Sequence, residues 1–133
     1  MHKVLLINGN LSSTEKIASA LTKSGFEVTN VATEWEGLKS VDEFSPDAIV
    51  VKDDSTQLDG LNLCQQIRHL FVLPLILLGN KPEPEVYSQT METKADWDYY
   101  MCLPINHEEL AARIKVLLWR YGKGEKPANN GGH

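Results

Sequence analysis

Residues 49 to 60 read IVVKDDSTQLDG. Three β-branched residues and a lysine stem lead into two aspartates, and an Asp-Gly pair closes the stretch. An apolar run without polar alternation suits a strand covered on both faces, and Asp-Gly marks a turn. Just beyond it, Leu63, Ile67 and Leu70 fall at helical spacing. The stretch therefore reads as a buried strand, an acidic loop and the start of a helix, the repeating unit of a parallel sheet.

The same unit recurs on either side. Val4-Leu5-Leu6-Ile7, Ala48-Ile49-Val50-Val51, Leu75-Ile76-Leu77-Leu78 and Tyr99-Tyr100-Met101-Cys102 are strand-length apolar runs. A weaker, alternating run from Glu27 to Val31 fits a sheet edge. Ser12 to Glu15, Thr33 to Glu36 and Asn106 to Glu109 place a capping side chain three residues before an acid, the spacing that satisfies orphan amides at a helix start. Behind these caps come Ile17 and Leu21, then Leu38 and Val41, then Leu110, Ile114, Leu117 and Tyr121. A further helix around residues 85 to 94 has a thin apolar stripe, and Pro82 and Pro84 crowd its start. Alternating strands and helices predict right-handed crossovers and a doubly wound sheet.

The bulk numbers narrow the function. A chain of 133 residues is most simply one domain, able to bury about two-thirds of its unfolded surface. A net charge of −5 disfavours direct nucleic-acid binding by this domain. No apolar run approaches membrane-spanning length, and the amino terminus lacks the basic-then-apolar layout of a signal peptide. Cys64 and Cys102 are too few and too separated for a disulfide framework or a metal site. The expectation is a cytoplasmic domain with both thiols as small core residues. Residues 122–133, GKGEKPANNGGH, read as a flexible linker or tail after a domain spanning 1–121.

The chain resembles the receiver domain of two-component response regulators over residues 2–121. KVLLING is similar to the family's first strand, and SPDAIVV is an especially close match to its third. LDGLNLCQQIR resembles the following loop and helix, LPLILLG the fourth strand, and DYYMCLPINHEELAARIKVLLWR the last strand and helix. The resemblance implies a flavodoxin-like α/β fold with strand order 2-1-3-4-5 and five helices. It also implies a cis peptide at Leu103-Pro104.

The family's chemistry needs an acidic pair after the first strand and a phosphoacceptor aspartate ending the third, which together hold Mg²⁺. A hydroxyl residue after the fourth strand and a lysine after the fifth contact the phosphoryl oxygens. Carried over residue by residue, the acidic pair falls on Asn8 and Gly9, and the acceptor on Lys52. The hydroxyl falls on Gly79 and the lysine on Leu103. All five are replaced. Where the family has three carboxylates and one ammonium, this chain has one ammonium and no carboxylate. A divalent cation about 4 Å from Lys52 would meet roughly 8 kcal/mol of repulsion at an effective dielectric near 20. Mg²⁺ is therefore not expected, nor is any other cofactor. A one-residue slip at the strand end would instead present Asp53, or less plausibly Asp54, as acceptor, which is the competing reading of an active receiver.

Each remaining feature has a plain reading beside the functional one. Lys52 could mimic the activated state; its simpler role is a stem packed in a disused pocket with its head reaching water. Asp53 and Asp54 read as solvated or capping loop acids. INGNLSS lacks the lysine and glycine spacing of a phosphate loop. His107 reads as an exposed residue in a helix's first turn, and His2, His69 and His133 form no ligand spacing with it. Tyr100 falls on the family's switch aromatic, and without a hydroxyl residue at Gly79 it reads as a half-buried packing residue.

The last helix is richer. Ala111, Val116, Leu118 and Trp119 lie off its Leu110-Ile114-Leu117 stripe, and surplus apolar surface wants a second partner. EELAARIKVLLWR resembles the final receiver helix of OmpR/PhoB-type winged-helix regulators, in which this region forms a dimer. On that resemblance Glu109, Arg113, Val116, Trp119 and Arg120 would face a second copy, although Tyr99 stands where an acid would meet Arg113. The expected function is a phosphorylation-independent regulatory and protein-interaction module, homodimeric, with an effector domain or partner protein. A small-ligand-binding domain with a repurposed pocket is the third reading.

Overall fold

The computed structural model describes residues 1–9, 14–53, 59–81 and 97–124. Five parallel strands form one sheet: β1 Lys3–Asn8, β2 Glu27–Val31, β3 Ala48–Lys52, β4 Leu75–Gly79 and β5 Tyr99–Cys102. Their order is β2-β1-β3-β4-β5, as the receiver resemblance implies. The helices are α1 Glu15–Lys23, α2 Glu34–Phe44, α3 Gly60–Leu70 and α4 His107–Arg120. The further helix expected around residues 85 to 94 lies outside the described residues.

Strand alternation splits the apolar side chains into two layers. Leu5, Ile7, Ile49, Val51, Leu75 and Leu77 pack beneath α2 and α3, whereas Val4, Leu6, Ala48, Val50, Ile76 and Leu78 pack beneath α1 and α4. β1, β3 and β4 are covered on both sides, so their apolar runs are continuous. β2, at an edge, has an exposed and three half-buried residues before Val31.

The helix caps follow the expected spacing at two of three places. Thr33 accepts the Glu36 N–H, and Asn106 accepts the Glu109 N–H, each at 3.0 Å. Asp59 caps α3 through the Asn62 N–H. The third expected start, Ser12 to Glu15, falls partly outside the described residues, and Thr14 precedes α1 without capping it. The Thr14 hydroxyl and the Asn30 amide bond each other instead, joining α1 to β2.

Four positions differ in burial from the expectation, two expected in the core and two expected outside it. Leu70 is 63% exposed, and Phe71, which follows it, packs against the core instead. Cys102 is exposed at the end of an edge strand, while Cys64 is buried. Ala111 and Leu118, expected as surplus, are 4% and 2% exposed and belong to the α1–α4 layer. A helix wedged between the sheet and α1 buries more than one stripe. The Leu103–Pro104 peptide is cis.

Candidate functional site

Folds of this kind place ligands beyond the carboxyl ends of the strands, and the mapped positions converge there. Asn8 and Lys52 are register partners across β1 and β3, and Lys52 pairs with Leu78 of β4. Gly79 pairs with Cys102, and the Leu103 N–H donates to the Gly79 carbonyl at 2.7 Å. Asn8 is fully buried, Gly9 follows it, and Lys52 is half-buried.

Alternation sends the two residues at the end of β3 in opposite directions. Lys52 follows Val50 on the α1–α4 side and lines a cleft of about 440 Å³ with Lys16, Asn80, Leu103 and His107. Asp53 lies on the α2–α3 side, where its carboxylate accepts the Gly60 N–H at 2.7 Å. Its own N–H donates to the Leu78 carbonyl, continuing the ladder by one bond. A Cβ on residue 60 would stand 2.8 Å from the Asp53 Cβ, so this approach requires glycine. Asp53 behaves as the first turn's anchor for α3. Asp54 lies outside the described residues.

The donor set does not suit the divalent metal that the fold family implies. A hard cation wants several oxygen ligands, preferably carboxylates; Asn8 offers one buried amide, Gly9 no side chain, and Lys52 a cation. Among the described residues no three His, Cys, Asp or Glu side chains cluster to hold a metal ion.

Tyr100 is 7% exposed and belongs to the core cluster under α3, buried where a half-buried residue is expected. Its hydroxyl donates to the Lys81 carbonyl at 2.5 Å, and its ring tilts against Trp97 with centroids 6.5 Å apart. A Cβ on residue 79 would lie 2.7 Å from the Tyr100 hydroxyl oxygen. The missing side chain at Gly79 is thus the room in which the Tyr100 ring sits.

On α4, Arg113 bonds the Tyr99 hydroxyl at 3.1 Å, lies 4.6 Å above the Tyr99 ring and approaches Glu109 at 3.5 Å. The tyrosine in the acid's place therefore holds Arg113 by cation–π and hydrogen-bond contact. Val116 is half-buried, Arg120 exposed, and Trp119 43% exposed.

A second polar group sits at the opposite end of the sheet. Asp98 accepts Arg68 at 3.1 Å, the Tyr121 hydroxyl at 2.9 Å and the Leu75 N–H at 2.9 Å. Burial alone would lower the Arg68 pKa, but the Tyr121 hydrogen bond and the Asp98 charge outweigh it and hold it above its ordinary value. Burial, then the hydrogen bond to Asp98, raise the Tyr121 hydroxyl against the opposing pull of Arg68. Neither this group nor the convergence of Lys16, Asn80 and His107 on Lys52 was legible in the sequence. Their members are scattered along the chain and follow no period.

In fold the molecule matches the receiver domains of response regulators, and in sequence it is similar to transcriptional regulatory proteins. The chain is 29% identical, over 119 residues and 89% of its length, to the alkaline phosphatase synthesis transcriptional regulatory protein PhoP of Bacillus subtilis. It is 32% identical, over 120 residues and 90% of its length, to the transcriptional regulatory protein AfsQ1 of Streptomyces coelicolor. These matches cover 49% and 52% of the two relatives, so the chain spans about half the length of the curated proteins it resembles. No family model matches it. Among solved structures, a Francisella response-regulator receiver domain superposes with a TM-score of 0.80 at 23% identity, covering 91% of this chain and 99% of that one. A two-component response regulator from Clostridium difficile gives 0.78 at 24%, covering 91% and 98%. Among the described residues no helix is long and apolar enough to cross a membrane.

Proposed function

We propose that this receiver-type signalling domain works without phosphorylation, as a cytoplasmic regulatory and protein-interaction module of a transcription-control system. The observation that carries this reading is Lys52 beside Asn8 at the carboxyl edge of the sheet, where the family's metal and phosphoryl group would meet. Two further features support it. The Asp53 carboxylate is engaged by the Gly60 amide, and Tyr100 already fills the space beside Gly79. A domain whose aromatic is seated by packing needs no phosphoryl group to draw it in.

The chain's match to half the length of transcriptional regulators supports an effector domain in the same polypeptide. Pairing of two copies through α4 is the second part of the proposal, supported by the exposed Trp119 next to Val116 and Arg120. With Leu118 and Ala111 in the core, this apolar face is narrower than the helix pattern alone suggests, so the dimer is weak.

The test of the first part is incubation with acetyl phosphate and Mg²⁺, followed by intact mass. No added phosphoryl group is expected in the wild type or in Lys52→Asp, since Asn8, Gly9 and Leu103 are unchanged. The adduct is expected once Asn8→Asp and Gly9→Asp are added, and more of it with Leu103→Lys. A wild-type adduct mapped to Asp53 would make the domain an active receiver. For the second part, sedimentation of wild type and Trp119→Glu at high micromolar concentration should show self-association only in the former.

A further inference from the structure

The cleft beside Lys52 is lined by cationic side chains among the described residues. Lys16 comes from the first turn of α1, Lys52 from the end of β3, and His107 from the first residue of α4. Asn80, directly after β4, adds an amide. No carboxylate lines the cleft among the described residues, and Asp53 is turned to the opposite side to hold Gly60. Glu15 lines the adjoining groove with Lys16 and His107. Ile17, which is largely buried, and Leu103 add apolar lining. A volume of about 440 Å³ exceeds what a bare inorganic anion would fill and falls within the range of small organic ligands.

We infer that this cleft binds a small organic phosphate non-covalently, with its anionic head between Lys52, Lys16 and His107 and its apolar body against Ile17 and Leu103. Two ammonium groups supply several charge-assisted donors to phosphate oxygens, which is the pairing such a set favours. An ammonium already in contact with one protein acceptor keeps further donors for a ligand. The position is the one at which doubly wound sheets bind ligands in general. The ligand reaches the site by charge complementarity alone, so no bond to phosphorus is made or broken. The inference does not require the domain to dimerise.

Titration calorimetry of the full 133-residue chain tests it, with phenyl phosphate, inorganic phosphate and phenol as probes. Phenyl phosphate should bind saturably and about tenfold more tightly than either of the other two, since each carries only half of the recognised chemistry. Lys52→Met and Lys16→Met should each weaken it by about tenfold, and added salt should weaken it further. Should Lys52→Met fold poorly, Lys16→Met reads the same site from an exposed position that the core does not use. Intact mass should stay unchanged after incubation. Absence of saturable binding, equal binding of phenol, or binding indifferent to both lysine substitutions would overturn the inference, as would a covalent adduct.

Discussion

At the amino end of the sheet, Asp47 and Asp98 do the same job in two places. Each stands one residue before a strand and bonds the first residue of its neighbour in both directions. Asp47 accepts the Lys3 N–H at 2.8 Å and donates its own N–H to the Lys3 carbonyl at 2.7 Å. Asp98 does likewise with Leu75, at 2.9 and 2.7 Å. At the carboxyl end, Lys52, Asn80 and His107 instead face a cleft. The contrast separates polar residues that hold strand starts in register from polar residues that line a cleft. Chemistry at the carboxyl end can change without disturbing the sheet, because the register is set at the other end and by the buried apolar layers.

Substitution at the two ends should therefore have unequal effects on stability. Asp98→Ala removes bonds to Leu75, Arg68 and Tyr121 together and leaves a strand amide unsatisfied. It should cost about 2–3 kcal/mol in urea unfolding, with the larger share of any buried donor set against partial exposure of the ion pair. A loss under about 0.5 kcal/mol would break the comparison.

Gly79→Thr restores the family's side chain at the carboxyl end but collides with Tyr100. It should cost about 1–3 kcal/mol by overpacking, and much less in a Tyr100→Ala background. The coupling in that double-mutant cycle measures how far the seat of Tyr100 depends on glycine. Additive costs would mean that the ring has another resting place.

The amino-end group also predicts a pH dependence. The Tyr121 hydroxyl has its folded pKa raised above the ordinary 10.0, so folding favours its protonated form. That contribution is complete below pH 10.0 and is lost as pH rises through the folded value. Thermal midpoints of the wild type should fall across this alkaline range, and those of Tyr121→Phe should fall less. The smallest effect belongs to the cleft itself. Lys52→Met should change unfolding free energy by no more than about 0.5 kcal/mol while altering anion binding.

Much of this architecture was legible in the order of residues. Continuous apolar runs identify β1, β3 and β4, since strands covered on both faces cannot alternate. Thr33 and Asn106 mark helix starts because a capping bond spans three residues and needs nothing distant. The residues Asn8, Gly9, Lys52, Gly79 and Leu103, onto which the resemblance maps the family's site, are read from the sequence as well. The errors fall where exposure is set by neighbours. The period of α4 identifies one face, but the approach of α1 decides that Leu118 and Ala111 are buried too. α3 continues its period at Leu70, but that side chain is exposed and Phe71 packs on the core.

The sequence by itself determined the strand and helix alternation and the helix starts at Thr33 and Asn106. These depend on local period, capping and composition. Only the tertiary structure decided that Asp53 turns away to hold Gly60 while Lys52 meets Lys16 and His107 across a cleft. It also decided that Tyr100 occupies the space left by Gly79, and that Asp98 joins Arg68 to Tyr121. Such contacts join residues tens of positions apart, and their distances depend on how whole elements pack, which no local pattern encodes.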